Sequence, residues 1–265
     1  MPQITAAGSK LAFTDTGGAG QVVLLLHAFP LNSAMWEQQT ESLSDRFRFI
    51  APDLTGFGGS DAPEGRDAYS MERWAAEIEA LLTELGLDRI VLVGLSMGGY
   101  LSFELLRRMP ERFSALVLAD TKAEADPPEG VEKRTKQQEM VEGGGRDDLI
   151  EALTGALLGE ATRSKKPDVV DKVRSLMDNP AAGFVGALEA MKKRPDSTGE
   201  LSAIRIPTLI VVGENDGVTP PDAARAMHEH IGGSRLVVIP EAGHLSNLEA
   251  PEAFNGALAE FLTSL

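Results

Sequence analysis

The chain has 265 residues, of which 43% are hydrophobic, 40 are acidic and 25 are basic, so its net charge at pH 7 is −15. This length is enough to bury one large α/β core, while the acidity disfavours binding to nucleic acid or to an anionic membrane and favours solubility. Because the sequence contains no cysteine, disulfides, a thiolate nucleophile and cysteine-based metal sites are excluded.

No segment has the character of an export signal or a membrane anchor. Residues 1–10 lack the apolar stretch of a signal peptide, and the longest apolar run, residues 22–26, is too short to span a bilayer. The sequence therefore fits a cytoplasmic prokaryotic enzyme with no membrane partner.

Short apolar segments alternate with segments of helical periodicity along most of the chain. Strands are predicted at residues 4–7, 10–15, 21–27, 47–51, 90–93, 115–119, 206–212 and 235–239. Helices are predicted at residues 33–43, 70–85, 101–109, 222–231 and 251–262. This alternation is typical of a mostly parallel sheet covered by helices on both faces, so the sequence predicts an α/β fold with eight strands.

The alternation stops between residues 121 and 203, where no segment has the pattern of a buried strand. Helices are predicted there at residues 129–142, 146–158, 167–178 and 181–193. A block of this length is too long for a simple connection. We therefore predict a core domain of residues 1–120 and 204–265, and an all-helical cap of residues 121–203 inserted after the sixth strand.

The segment Gly94-Leu95-Ser96-Met97-Gly98 follows the predicted strand at residues 90–93 and has the Gly-x-Ser-x-Gly pattern of a nucleophile elbow. Such a turn needs glycine on both sides of Ser96, strains the serine backbone and lifts its hydroxyl clear of the sheet. By chance the pattern would arise in roughly one chain in five of this glycine content. The alternative interpretation is a tight turn whose serine only caps the following helix.

A serine hydroxyl needs a neighbouring base to act as a nucleophile, and the chain has four histidines. His228 and His230 lie in a charged helix and are predicted at the surface, while His27 ends an early strand and is expected to shape the adjacent loop. His244 follows the last strand, at the edge where open α/β sheets bind ligands. His244 is therefore the predicted base.

The base in turn needs a carboxylate that fixes its tautomer and stabilises the imidazolium. Asp216 and Asp120 each follow the end of a predicted strand, and either could reach His244. We favour Asp216, because its loop does not enter the helical insertion and the order Ser, Asp, His along the chain is that of hydrolases. Asp120 is the alternative acid, or else a loop anchor at the mouth of the insertion.

Two backbone donors are predicted to stabilise a developing oxyanion. The N–H of Met97 lies at a helix N-terminus, where negative charge is stabilised. The second donor should come from the loop His27-Ala28-Phe29-Pro30, and it is assigned to Phe29 because Pro30 has no N–H.

Together these segments resemble the α/β-hydrolase-fold serine hydrolases over essentially the whole chain. The resemblance is carried by His27-Ala28-Phe29-Pro30, residues 52–61, the Ser96 elbow, Gly213-Glu214-Asn215-Asp216 and Ala242-Gly243-His244. The most similar subgroup comprises small carboxylesterases, enol-lactone hydrolases and cofactor-free haloperoxidases or perhydrolases. One departure is Ala28, where that family usually has glycine.

The resemblance implies a carboxylesterase that acts on small, mostly apolar esters or lactones through an acyl-enzyme on Ser96. The alternatives are a perhydrolase that diverts the acyl-enzyme to hydrogen peroxide, hydrolysis of a carbon–carbon bond, and a ligand-sensing signalling protein. We expect no cofactor, because the chain shows neither a dinucleotide or phosphate-loop motif nor a cluster of metal ligands.

The predicted substrate pocket combines apolar residues of the core and the cap. Its candidate residues, besides Phe29 and Met97, are Trp36, Leu95, Leu153, Leu157, Phe184 and Leu188. The cap residues among them repeat at helical spacing, so ordinary packing within the cap is the plainer interpretation. No run of lysine or arginine faces the site in the sequence, which favours an apolar substrate.

Overall fold

The computed structural model describes all 265 residues and contains one eight-stranded sheet of order β1-β2-β4-β3-β5-β6-β7-β8. The strands are β1 (Gln3–Ala6), β2 (Ser9–Asp15), β3 (Gln21–Leu26), β4 (Phe47–Pro52), β5 (Ile90–Leu95), β6 (Phe113–Ala119), β7 (Thr208–Gly213) and β8 (Arg235–Ile239). β2 pairs antiparallel with β1 and β4, and the other pairings are parallel. The predicted fold class is confirmed.

Eleven α-helices accompany the sheet. They are α1 (Glu37–Leu43), α2 (Met71–Glu84), α3 (Met97–Arg108), α4 (Pro128–Glu142), α5 (Arg146–Leu157), α6 (Glu160–Lys165), α7 (Pro167–Leu176), α8 (Ala181–Lys193), α9 (Pro221–His230), α10 (Ser246–Glu249) and α11 (Pro251–Thr263). The sequence did not predict α6 and α10, which are too short to show a helical period. It also began α3 four residues late, because glycines at 98 and 99 lower helix propensity.

The central strand β5 is buried along its whole length, as its run of Ile, Val and Leu predicted. Helix α2 packs an apolar face with Trp74 and Ile78 into the core. Its first turn is capped by the Ser70 hydroxyl, which accepts the Arg73 N–H at 3.1 Å. Helical periodicity and a capping serine therefore predict this element correctly.

Residues between β6 and β7 form helices α4 to α8 and no strand. The Asn179 side chain ties this segment to two loops that follow strands of the sheet. Its amide donates to the Pro30 carbonyl at 2.8 Å, and its oxygen accepts the Gly58 N–H at 2.8 Å. A third bond joins the His244 N–H to the carbonyl of Leu157, at 2.9 Å. The helical segment is therefore held over the carboxyl ends of the strands.

Gly98 allows the closest approach between α3 and β3. A Cβ atom at this position would lie 2.2 Å from the Leu26 carbonyl oxygen, which is backbone and has little freedom to move. We expect Gly98→Ala to destabilise the protein by about 2 to 3 kcal/mol, in the range of overpacked core substitutions, as measured by urea unfolding. Gly256→Ala is the matched control. Gly256 lies in α11 with open space around it, so alanine there should leave stability equal or slightly higher.

Candidate active site

Ser96 has the strained backbone that the elbow pattern predicts, with φ 53° and ψ −111°. The turn is tight, since a Cβ at Gly94 would lie 2.3 Å from the Gly98 carbonyl oxygen. The serine side chain makes no capping bond to α3. The interpretation of Ser96 as a mere helix cap is therefore wrong.

Three side chains from distant parts of the chain meet at the carboxyl edge of the sheet. The Ser96 Oγ lies 2.8 Å from the His244 Nε2, and the His244 Nδ1 lies 2.8 Å from the Asp216 Oδ2. All three side chains are buried. Because an ionised carboxylate only accepts hydrogen bonds, the imidazole carries its proton on Nδ1 and leaves Nε2 free to accept the serine proton.

Asp216 is held in place by the turn that follows it. Its Oδ1 accepts the N–H groups of Val218 and Thr219 at 2.8 and 2.9 Å, and its Oδ2 accepts the Thr219 hydroxyl at 2.8 Å. Burial opposes ionisation, yet these donors and the adjacent His244 outweigh it and lower the pKa of Asp216. The carboxylate is therefore fixed and ionised beside the imidazole. Thr219 was not predicted as a site residue, because in the sequence it is simply a threonine three residues after Asp216.

The charge of Asp216 also acts on the base. Burial lowers the pKa of His244, but the Asp216 carboxylate favours the imidazolium more strongly, so the net pKa lies above its ordinary value. His244 therefore takes up a proton more readily than a free imidazole, as a base that must accept the serine proton requires.

Asp120 makes no hydrogen bond to His244. Its Oδ1 accepts the Gly213 N–H at 2.8 Å, and its Oδ2 accepts the Ser246 N–H at 3.1 Å and hydroxyl at 2.6 Å. It thus joins the end of β7, three residues before Asp216, to the first residue of α10, two residues after His244. The loop-anchor interpretation of Asp120 matches these contacts.

Asp120 should also make stability depend on pH. Complete burial and the nearby Asp216 raise the pKa of Asp120 from 3.8 to about 8. Between these values the unfolded chain has lost the proton that the folded protein keeps, so the free energy of unfolding falls as pH rises from about 4 to about 8. We expect Asp120→Asn to reduce this fall, as measured by urea unfolding at pH 5 and pH 8. A fall as steep as in the wild type would show that Asp120 is ionised throughout that range.

The two backbone groups predicted as oxyanion donors have no acceptor within the protein. Neither the Phe29 N–H nor the Met97 N–H donates a hydrogen bond. The Phe29 loop is fixed by His27, whose Nε2 accepts the Leu54 N–H at 3.0 Å. Burial lowers the pKa of His27, so its ring stays neutral and keeps this acceptor. The interpretation of His27 as a loop-shaping residue agrees with this contact.

Glu249 supports the histidine loop and was not identified from the sequence. Its buried carboxylate accepts the N–H groups on both sides of His244, from Gly243 at 3.0 Å and Leu245 at 3.2 Å. It also accepts the Gly159 N–H of the helical segment, at 2.8 Å. In the sequence Glu249 is only an acid shortly after His244. The sequence cannot show that the chain reverses there and brings its carboxylate back to the histidine loop.

A cavity of about 250 Å³ is lined by both Ser96 and His244. Its apolar wall consists of Phe29, Leu153, Ala156, Leu157, Met191 and Val218. Its polar wall consists of Tyr100, Lys122, Asp126, Lys133, Arg134 and Gln137. The sequence showed no run of lysine or arginine facing the site, but Lys122, in the loop after β6, and Lys133 and Arg134 of α4 line the cavity. The docking of α4, which the sequence does not show, turns its two basic residues toward the site.

Among the six predicted pocket residues, the structure places Leu153 and Leu157 on the cavity wall. The other four, Trp36, Leu95, Phe184 and Leu188, do not line it and are fully buried in the core. Phe184 packs edge-on against the Phe29 ring, with ring centroids 5.7 Å apart. Helical spacing identified one apolar face of α8 but could not show that this face meets the core.

The side chains form no group of three or more histidines and acids that could bind a metal ion. No helix combines the length and apolar character needed to cross a bilayer.

Comparisons with known proteins agree with this geometry. Residues 21–251 match the family model described as the alpha/beta hydrolase fold. A solved thermophilic esterase from Thermogutta terrifontis, with malate bound, is 41% identical and superposes with a TM-score of 0.94 over 99% of this chain and 98% of its own. The enol-lactonase of Burkholderia xenovorans is 27% identical, with a TM-score of 0.91 over 99% of this chain and 100% of its own.

A curated relative points the same way. The 3-oxoadipate enol-lactonase 2 of Acinetobacter baylyi is 29% identical over 96% of this chain and 94% of its own length. The family model covers most of the sequence, and these relatives are hydrolases. The chain therefore belongs to the α/β-hydrolase family and is an enzyme of the hydrolase class.

Proposed function

We propose that the protein hydrolyses small carboxylic esters and lactones through an acyl-enzyme on Ser96. The observation that carries this proposal is the continuous hydrogen-bonded chain from the Ser96 Oγ through His244 to Asp216, with both links 2.8 Å long. The same arrangement of roles operates in serine hydrolases of unrelated folds. The esterase and enol-lactonase relatives support carboxylic esters and lactones as the substrate class.

In the proposed first step the Ser96 Oγ attacks the ester carbonyl carbon, while the His244 Nε2 takes the serine proton. The tetrahedral intermediate then expels the alcohol, which leaves with that proton, and an acyl-serine remains. Water repeats the sequence: His244 takes a proton from the water, hydroxide adds to the acyl carbon, and Ser96 leaves as the alcohol. Asp216 stays ionised throughout and holds the imidazole in the Nδ1–H tautomer.

The N–H groups of Phe29 and Met97 are the proposed oxyanion donors. Both lack a protein acceptor, and Met97 begins α3, so the helix dipole adds to the attraction for negative charge. Removing one such donor costs about 10² to 10³ in turnover in comparable sites. Phe29 would therefore act through its backbone, while its ring packs against Phe184.

The helices of residues 121–203 form the proposed cap, and residues 1–120 and 204–265 form the core domain. The cap supplies the Leu153 and Leu157 side chains to the cavity wall, and its Leu157 carbonyl accepts the His244 N–H. It would thus enclose the acyl group beside Ser96 and limit the size of the substrate.

A substrate panel tests this function. Esters of 4-nitrophenol with acyl chains of two to eight carbons and simple lactones are assayed with the wild type and with Ser96→Ala as the blank. Turnover by the wild type that disappears in the blank supports the proposal, and a burst of nitrophenol identifies acyl-enzyme formation. Hydrogen peroxide is added in a parallel series, and a peracid product would identify perhydrolysis. No turnover of any member, together with ligand-dependent thermal stabilisation, would favour a sensor instead.

A further inference from the structure

The polar wall of the cavity carries a concentration of positive charge. Lys122, in the loop after β6, and Lys133 and Arg134 of α4 all line the cavity that contains Ser96. The only acidic side chain on this wall is Asp126. This excess of cations lies on a chain whose net charge is −15, so it is a local feature and not a consequence of composition.

Asp126 cannot neutralise these groups, because it is already shared with a buried arginine. Its Oδ1 accepts from the Arg194 Nη2 at 2.9 Å, and its Oδ2 accepts from the Arg134 Nε. Arg194 is buried and stacks on the Tyr100 ring at 4.0 Å. These donors outweigh burial and hold the pKa of Asp126 well below its usual range. One fixed negative charge therefore faces three cations on the wall and a fourth behind it.

The donors on this wall have hydrogen-bonding capacity that the protein does not use. Arg134 uses only its Nε, while its two terminal nitrogens donate to no protein atom. The Lys122 Nζ lies 3.7 Å from the Asp126 carboxylate, beyond hydrogen-bond distance, and Lys133 has no ion pair. Two free guanidinium nitrogens match the geometry of a carboxylate, which can accept two parallel bonds.

Two neutral side chains add further unused donors. The Tyr100 hydroxyl and the Gln137 amide line the same cavity, and neither makes a hydrogen bond within the protein. Tyr100 is only 6% exposed, so little of it is in contact with solvent. Both side chains can therefore donate a hydrogen bond to a ligand that enters the cavity.

We propose that the enzyme acts on esters or lactones that carry a separate carboxylate, and that Lys122, Lys133 and Arg134 bind that carboxylate. The apolar wall, with Leu153 and Leu157, would hold the carbon skeleton between this group and Ser96. A cavity of about 250 Å³ limits the substrate to a small acid. This inference rests on the proposed function of Ser96 and names its substrate class.

The test compares anionic esters with neutral partners of nearly equal size. On the acyl side, mono-4-nitrophenyl glutarate is compared with 4-nitrophenyl methyl glutarate. On the alcohol side, 4-acetoxybenzoate is compared with methyl 4-acetoxybenzoate. We expect kcat/KM for at least one anionic ester to exceed that of its neutral partner by about tenfold or more at low salt. The pair with the larger ratio shows which side of the ester carries the carboxylate.

Charge-removing variants locate the effect. Arg134→Gln and Lys122→Gln should each lower the anionic-to-neutral ratio about tenfold, and the more exposed Lys133→Gln about threefold. Lys136→Gln is the matched control, because Lys136 lies on the same helix, pairs with Glu132 at 2.6 Å and does not line the cavity. It should leave the rates with both esters unchanged.

The outcomes separate this inference from the proposed function. A ratio near one in the wild type, a ratio unchanged in all three variants, or an equal fall in Lys136→Gln would overturn the carboxylate site. Each of those results leaves the hydrolase proposal standing, provided that turnover of the neutral ester disappears in Ser96→Ala. Turnover that persists in Ser96→Ala would instead overturn the function on which the inference rests.

Discussion

Replacing Ser96 by alanine is expected to lower kcat for 4-nitrophenyl ester hydrolysis by about 10⁶, the size of the loss when a serine hydrolase loses its nucleophile. The hydroxyl is the only group within 2.8 Å of the His244 Nε2 that could form the acyl bond. Without it, His244 and the two oxyanion donors could only assist attack by water. The remaining rate should therefore be close to that of the solvent reaction plus a small contribution from binding.

The fold should tolerate this change. Alanine adopts the positive φ of Ser96 at the same steric cost as serine, because both carry one Cβ atom. Ser114→Ala is a matched control, since the Ser114 hydroxyl is buried at the start of β6 without any partner. That variant should keep both its activity and its stability. Full activity in Ser96→Ala, or a covalent acyl adduct found by mass spectrometry on a peptide without Ser96, would refute the assignment.

Replacing Asp216 by asparagine is expected to cut kcat by about 10⁴. The asparagine amide can donate to the His244 Nδ1, which then must be unprotonated, so that the proton moves to Nε2 and the base can no longer accept from Ser96. Asparagine has nearly the same size as aspartate and leaves no cavity. The loss of kcat would therefore come from the changed tautomer and the lost charge. Asp120→Asn should cost far less, about tenfold or below, because Asp120 contacts the loops and not the imidazole.

The pH dependence of kcat/KM gives a second test of the role of Asp216. In the wild type, kcat/KM should fall as pH decreases through the pKa of His244, because the protonated imidazole cannot accept the serine proton. Asp216 raises that pKa, so Asp216→Asn should shift the acidic limb of the profile to lower pH. If Asp120→Asn lost most of its kcat while Asp216→Asn kept nearly all of its own, the acid would be Asp120.

Local patterns were sufficient to predict the sheet and the elbow. Buried parallel strands are short apolar runs, and α2 shows its period and its capping serine, so neighbours along the chain specify these elements. The strained backbone of Ser96 also follows locally, from the glycines at 94 and 98. Short helices such as α6 escaped prediction because six residues are too few to show a period.

The pairing of acids with bases needed the tertiary structure. Asp120 and Asp216 both follow strand ends, and the sequence favoured Asp216 but kept Asp120 as an alternative, whereas the fold brings Asp216 to 2.8 Å from His244. Asp120 instead accepts from Gly213 and Ser246. Glu249 shows the same limit, because its role depends on a chain reversal that brings it beside the backbone on both sides of His244.

The sequence by itself determined the α/β fold, the elbow with Ser96 and the base His244, because each of these depends on neighbouring residues and on chain order. For the acid it favoured Asp216 over Asp120 without deciding between them. Only the tertiary structure decided what surrounds them. Helical spacing shows which residues share a face, but the docking of the helix decides whether that face meets the core, as with Phe184, or the cavity, as with Arg134. The charge of the cavity, and with it the proposed carboxylate substrate, was therefore a property of how the helices pack.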